Sequence, residues 1–177
     1  MVRFGKFNIQ NGQNRGLKSA LHGLDQGQID CVILQETKLT NRFYTQEARD
    51  FWVMSKEAPS AHRSGVAIFY PEADHFAIKE LRLHGLNVIS FQMVTGRCWW
   101  HVMGCYISPG NDSTIEDVDT AIRDQPYGSE LLVTGDFNIN LVEPEGTPQG
   151  EAVADELAAA GLIDIVLHFL TWRKPWL

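Results

Sequence analysis

Basic charge is the first thing this sequence is short of. Its 177 residues carry 15 Lys and Arg against 22 Asp and Glu, a formal net charge of −7. Neutralising phosphates over a broad surface needs clustered Lys and Arg, so a generic basic nucleic-acid-binding patch is excluded. An enzyme that meets a phosphate through a carboxylate-held divalent metal is not excluded, because the metal offsets the negative charge locally. Cysteine is also scarce. Cys31, Cys98 and Cys105 are the only three, an odd number with no C-x-x-C spacing. That argues against a zinc site and reads as reduced thiols at core positions of an intracellular protein. Long apolar runs are missing as well. Nothing approaches the ~20 residues of a spanning helix, and MVRFGKFNIQNG at the N-terminus has no signal-peptide core. The expectation is a soluble intracellular protein, with the nucleus a plausible compartment, no membrane and no evident obligate protein partner.

What is present is a globular composition, 44% hydrophobic and 21% charged. Residues 1–177 read as one domain, without internal repeats or a Pro/Gly/Ser linker. Strand and helix patterns alternate. Val2 to Ile9 reads as a strand, and Leu17, Leu21 and Leu24 give a short amphipathic helix ending near Gly27. Ile29 to Leu34 is an apolar run of the kind covered on both faces. Phe51 to Ser55 and Gly65 to Tyr70 are further strands. Leu86 to Val94 and Cys98 to Ile107 flank a Thr95-Gly96-Arg97 hairpin loop. Ser113 to Glu116 is a capping box for a helix whose apolar face carries Ile115, Val118 and Ile122, closed before Pro126. Leu131 to Thr134 reads as a short buried strand, and Glu151 to Ala160 as a last helix with Gly161 at its C′ position. The class is α/β, with two packed sheets and helices outside.

Four strand ends carry polar groups: Phe7-Asn8-Ile9-Gln10, Gln35-Glu36-Thr37, Tyr106-Ile107-Ser108-Pro109 and Gly135-Asp136-Phe137-Asn138. Sites in α/β sheets form outside the carboxyl ends of strands. If the four ends share one rim, Asn8, Glu36, Tyr106, Asp136 and Asn138 converge there. Two carboxylates and two carboxamides are hard oxygen donors, suited to Mg²⁺ (or Mn²⁺) and poorly suited to zinc or iron. Asp136 and Asn138, two apart, face one side of an extended chain. One can take a proton from water while the other orients it or donates to a phosphate. Taken singly, each residue has a plainer explanation. Gly-Asp-x-Asn is a common turn, Glu36 a solvated charge, Asn8 a loop residue and Tyr106 a core ring. The signal is the ordered set of four.

That set resembles the endonuclease/exonuclease/phosphatase superfamily, the DNase I-like fold. QET at Gln35 to Thr37 and GDFN at Gly135 to Asn138 are its most diagnostic motifs, and Asn8 and Tyr106 sit in two others. Gly161-Leu162-Ile163-Asp164, Phe169 and Thr171-Trp172 resemble endonuclease domains of non-LTR (LINE-type) retrotransposons. The resemblance implies a two-sheet β-sandwich flanked by helices in four layers, Mg²⁺ dependence and cleavage of phosphodiesters, with DNA as ancestral substrate. It gives Glu36 the principal metal-ligand role and Asn8 contact with the metal's water and the phosphate. Tyr106 then supports the scissile phosphate, Asp136 aligns or deprotonates the attacking water, and Asn138 hydrogen-bonds the phosphate. Gln10 stands where several relatives carry a carboxylate or Asn.

The family pattern ends in an Arg-Ile-Asp strand and a Ser-Asp-His loop, neither of which is found between Asn138 and Leu177. His168 lies in an apolar stretch and reads as a packed residue, not a substitute. The expectation is therefore a C-terminally truncated domain lacking the last strands, with nuclease activity impaired or lost. A non-catalytic remnant or binding domain of a retroelement is the alternative. A phosphomonoesterase or phospholipase-type relative is a third, disfavoured by the LINE-like residues after Asn138.

Overall fold

A computed structural model describes residues 2–9, 15–37, 51–55, 65–71, 76–107, 113–138 and 148–161. Gln10, Ser108, Pro109, His168 and the LINE-like residues from Leu162 onward lie outside the described residues. The chain divides into two compact units, Met1–Asn138 and Ile139–Leu177. The first runs β1 (Phe4–Asn8), α1 (Arg15–Asp25), β2 (Cys31–Gln35), β3 (Phe51–Ser55), β4 (Val66–Pro71), β5 (Ala77–His84), β6 (Val88–Thr95), β7 (Cys98–Tyr106), α2 (Ser113–Arg123) and β8 (Glu130–Asp136). In the second, α3 (Pro148–Ala159) buries Val153 and Leu157, four apart on one helix face, and is followed by Gly161 at φ 71°. No helix among the described residues is long and apolar enough to cross a membrane.

Among the described residues two four-stranded sheets form, in the orders β1-β2-β4-β3 and β5-β6-β7-β8. Each contains one parallel pair, β1 with β2 and β7 with β8, and each such pair is joined through a helix, as parallel strands require. Period-2 alternation builds the layers. Cys31 and Ile33 of β2 face Ile89, Phe91 and Val102 of the other sheet across the central core. Val32 and Leu34 point the other way, against Leu21 and Leu24 of α1. Val88, Met103 and Cys105 meet Val118 and Ala121 of α2. All of β2 is buried, which explains its near-continuous apolar sequence. The expected four layers of helix, sheet, sheet and helix are present.

Some expectations need correcting. The strand β5 escapes the sequence reading because its apolar residues, Ile78, Leu81 and Leu83, break period 2. A register irregularity between Lys79 and Arg82, with Glu80 at φ 47°, inserts the extra residue. Leu86, placed in a strand from its sequence, sits in the turn between β5 and β6. The buried face of α2 is Thr114, Val118 and Ala121, with Ile122 beside them and Ile115 only half-buried. The strand β8 is longer than expected and mostly half-buried, because it is an edge strand. Cys31 and Cys105 fill core positions, but Cys98 is exposed where β7 leaves the hairpin. Trp99 is 50% exposed while its neighbour Trp100 packs on the central core, as opposite faces of a strand demand.

Under α2, His84 Nε2 lies 2.7 Å from Ser90 Oγ. Burial pushes the His84 imidazole below its ordinary 6.5; Asp124 and Asp117 oppose the shift, and His101 and Arg82 add to it. As pH falls below 6.5 the unfolded chain takes up this proton before the folded one does. Stability from this group is therefore present above that value and lost as pH drops towards the folded value. Between about pH 7 and about pH 5, the melting temperature of the wild type should fall more steeply than that of His84→Asn. Identical slopes would show that His84 carries no such linkage.

Candidate active site

The two parallel pairs end together. Asn8 is the register partner of Gln35, with Glu36 next in the chain, and Tyr106 is the partner of Asp136. Backbone bonds extend both pairings by a residue: Ile9 N–H donates to Gln35 O at 3.0 Å and Ile107 N–H to Asp136 O at 2.9 Å. β1 and β8 are edge strands of their sheets, and a side chain closes the gap between them. Asn8 Nδ2 donates to Glu36 Oε1 at 2.9 Å and to Asp136 Oδ2 at 2.8 Å. One amide nitrogen thus holds both carboxylates of the expected set.

Local backbone geometry presents these groups. Glu36 has φ 52° and Asn138 has φ 51°, each just beyond its strand. Asn tolerates this left-handed conformation; Glu has no local reason to adopt it, and the cost is on the order of 1 kcal/mol. Such outliers persist where surrounding structure imposes them. The Asn138 turn is closed by its own N–H donating to Asp136 Oδ1 at 3.3 Å, and Asn138 Nδ2 donates to Ile107 O at 2.8 Å. Gly135 is where β8 approaches β7 most closely. A Cβ there would lie 2.2 Å from Cys105 O.

The five expected residues divide into two groups. Asn8, Glu36 and Asp136 are joined by direct hydrogen bonds, and Asn138 is tied to Asp136 through its backbone. Tyr106 lies at the same strand end, but its ring is only 2% exposed and belongs to the central core. On either side of Glu36, the buried Gln35 Oε1 and Thr37 Oγ1 have no hydrogen-bond partner among the described residues.

Lys6 was missed by the sequence reading. Its Nζ donates to Gly135 O, the carbonyl just before Asp136. Burial pushes the Cys105 thiol up to about 12, the Lys6 ammonium pulls it back, and Asp136 adds to the rise. The available signal was spacing: Lys6 is two residues before Asn8 and shares its face of β1.

No protein-family model and no curated protein sequence matches the chain. Solved structures do. The endonuclease domain of TRAS1, a telomere-specific non-LTR retrotransposon, superposes with TM-score 0.71 at 16% identity, over 90% of this chain and 72% of that one. An AP endonuclease from Archaeoglobus fulgidus gives 0.65 at 15%, over 94% and 73%. An endonuclease/exonuclease/phosphatase family protein from Leptotrichia buccalis gives 0.61 at 11%, over 93% and 74%. Two stacked mixed sheets between two helices, together with superposition on these three structures at low identity, make this a chain of DNase I-like fold.

Proposed function

We propose that the rim formed by Asn8, Glu36, Asp136 and Asn138 is a metal-dependent phosphodiesterase site of DNA endonuclease type. One observation carries the reading: a single amide nitrogen, Asn8 Nδ2, holds Glu36 and Asp136 together from two different sheets. Nothing in packing requires two carboxylates at that distance, and like charges there cost stability unless something offsets them. The donor set fits Mg²⁺ or Mn²⁺, which take one or two carboxylates and keep several waters. Among the described residues no group of three or more His, Cys, Asp and Glu is placed to hold a metal ion, so the metal reading rests on one or two carboxylates completed by amide and water oxygens. Glu36 and the carbonyl of Asn8 would hold the metal, whose chemistry there is to polarise a phosphoryl oxygen. Asp136, anchored by Asn8 and by the Asn138 N–H, takes the proton of the attacking water. Asn138 and Tyr106 are assigned to the phosphate. The likeness to two endonucleases supports DNA as the substrate.

The test is Mg²⁺ titration calorimetry on the 177-residue chain. Binding is expected in the wild type and absent in Glu36→Ala; equal binding in both would remove Glu36 from the metal and sink the reading.

A further inference from the structure

We infer that Lys6 is the phosphate-binding cation of this site and that it fits the site to a phosphate diester; the inference rests on reading the rim as a phosphodiesterase site. On β1, Phe4 packs on the central core and Phe7 on the α1 side, so Lys6 and Asn8 share the sandwich-facing side. A lysine on an edge strand ordinarily extends to solvent. Lys6 is exposed, yet it reaches across to the other sheet, where its ammonium donates to Gly135 O. Asp136 is the next residue, and Glu36 is tied to Asp136 through Asn8. Yet among the described residues Lys6 forms no ion pair with either carboxylate, unlike Arg3 with Asp30, Arg82 with Glu80 and Asp124, and Arg123 with Asp119. Three of the four carboxylate oxygens, Glu36 Oε1 and Asp136 Oδ1 and Oδ2, are engaged by Asn8 and the Asn138 N–H, and two of the three Lys6 N–H donors have no partner among the described residues.

Anionic and cationic groups are thus kept apart within one rim, the carboxylates for a divalent metal and the ammonium for an anion. Two carboxylates, one ammonium and one divalent metal leave a single positive charge, which matches the single negative charge of a phosphate diester. A purely mechanical role, fastening β1 to β8, would need only a hydrogen-bond donor at this position. Lys6→Gln keeps a donor and removes the charge, so it separates the two roles.

The experiment uses the 177-residue wild type, Lys6→Gln and Lys6→Arg, with dimethyl phosphate followed by ³¹P NMR titration, with and without Mg²⁺. Thermal melts confirm folding. Lys6→Gln should weaken dimethyl phosphate binding about tenfold, the scale of one charge-assisted contact, while Lys6→Arg retains it. Mg²⁺ affinity in Lys6→Gln should be unchanged or tighter. Equal dimethyl phosphate affinity in the wild type and Lys6→Gln, or no binding in either, overturns the assignment. If the wild type fails to bind Mg²⁺ but binds dimethyl phosphate through Lys6, the metal reading falls and the assignment of Lys6 stands.

Discussion

Gly135→Ala should lower the melting temperature by about 6–12 °C, taking overpacking at roughly 3 kcal/mol and about 2–4 °C per kcal/mol for a chain of this size. The added Cβ would lie 2.2 Å from Cys105 O and 2.9 Å from Cys105 C, both backbone atoms of the paired strand. Backbone cannot rotate aside as a side chain can, so β8 itself has to move. Gly104→Ala is the useful contrast. Its Cβ would meet Ile33 Cγ2 at 2.6 Å, and a side-chain methyl can yield, so the loss there should be smaller. Displacing β8 also moves Asp136 from Asn8, so Gly135→Ala should lose Mg²⁺ affinity along with stability. A melting temperature within about 2 °C of wild type would mean that β7 and β8 are not packed as closely as described.

Asn8→Asp should make stability depend on metal. The substitution removes the amide that donates to Glu36 and Asp136 and puts a third carboxylate against both. Leaving charged acceptors without their donor costs about 1–3 kcal/mol, so melting in EDTA should fall by roughly 4–8 °C, taking about 2 kcal/mol. A divalent cation reverses the sign of the problem, because the three carboxylates then share a counter-charge. A ligand at 100 times its dissociation constant contributes about 2.7 kcal/mol. Saturating Mg²⁺ should therefore restore most of the loss and shift Asn8→Asp further than it shifts the wild type. Parallel melts in EDTA and in Mg²⁺ measure this. An Asn8→Asp chain that melts at one temperature in both would show that the rim does not bind the cation.

The sequence revealed most where chemistry and position coincide. QET and GDFN each end a strand, so residue type and strand pattern pointed to the same rim, and the structure joins Asn8, Glu36 and Asp136 there. Both α1 and α2 were legible from apolar spacing and the capping box. What stayed hidden depended on tertiary pairing. The irregularity at Glu80 shifts the alternation that would have revealed β5. Whether β8 is central or an edge depends on its neighbours, which Leu131 to Thr134 do not specify. Lys6 looks like any solvated charge until β8 is placed beside β1. Tyr106 ends its strand opposite Asp136 while its ring packs in the core, a packing that its place in the motif does not reveal.

The Asn8–Asp136 hydrogen bond joins residues 128 apart in sequence. Closing so long a loop costs entropy before the contact repays it, so a pairing of this span tends to form late in folding. Interactions absent from the folding transition state act on the unfolding rate and leave the folding rate almost unchanged. A ligand held at this rim would therefore act as a kinetic clasp, lengthening the lifetime of the folded chain without hastening its formation.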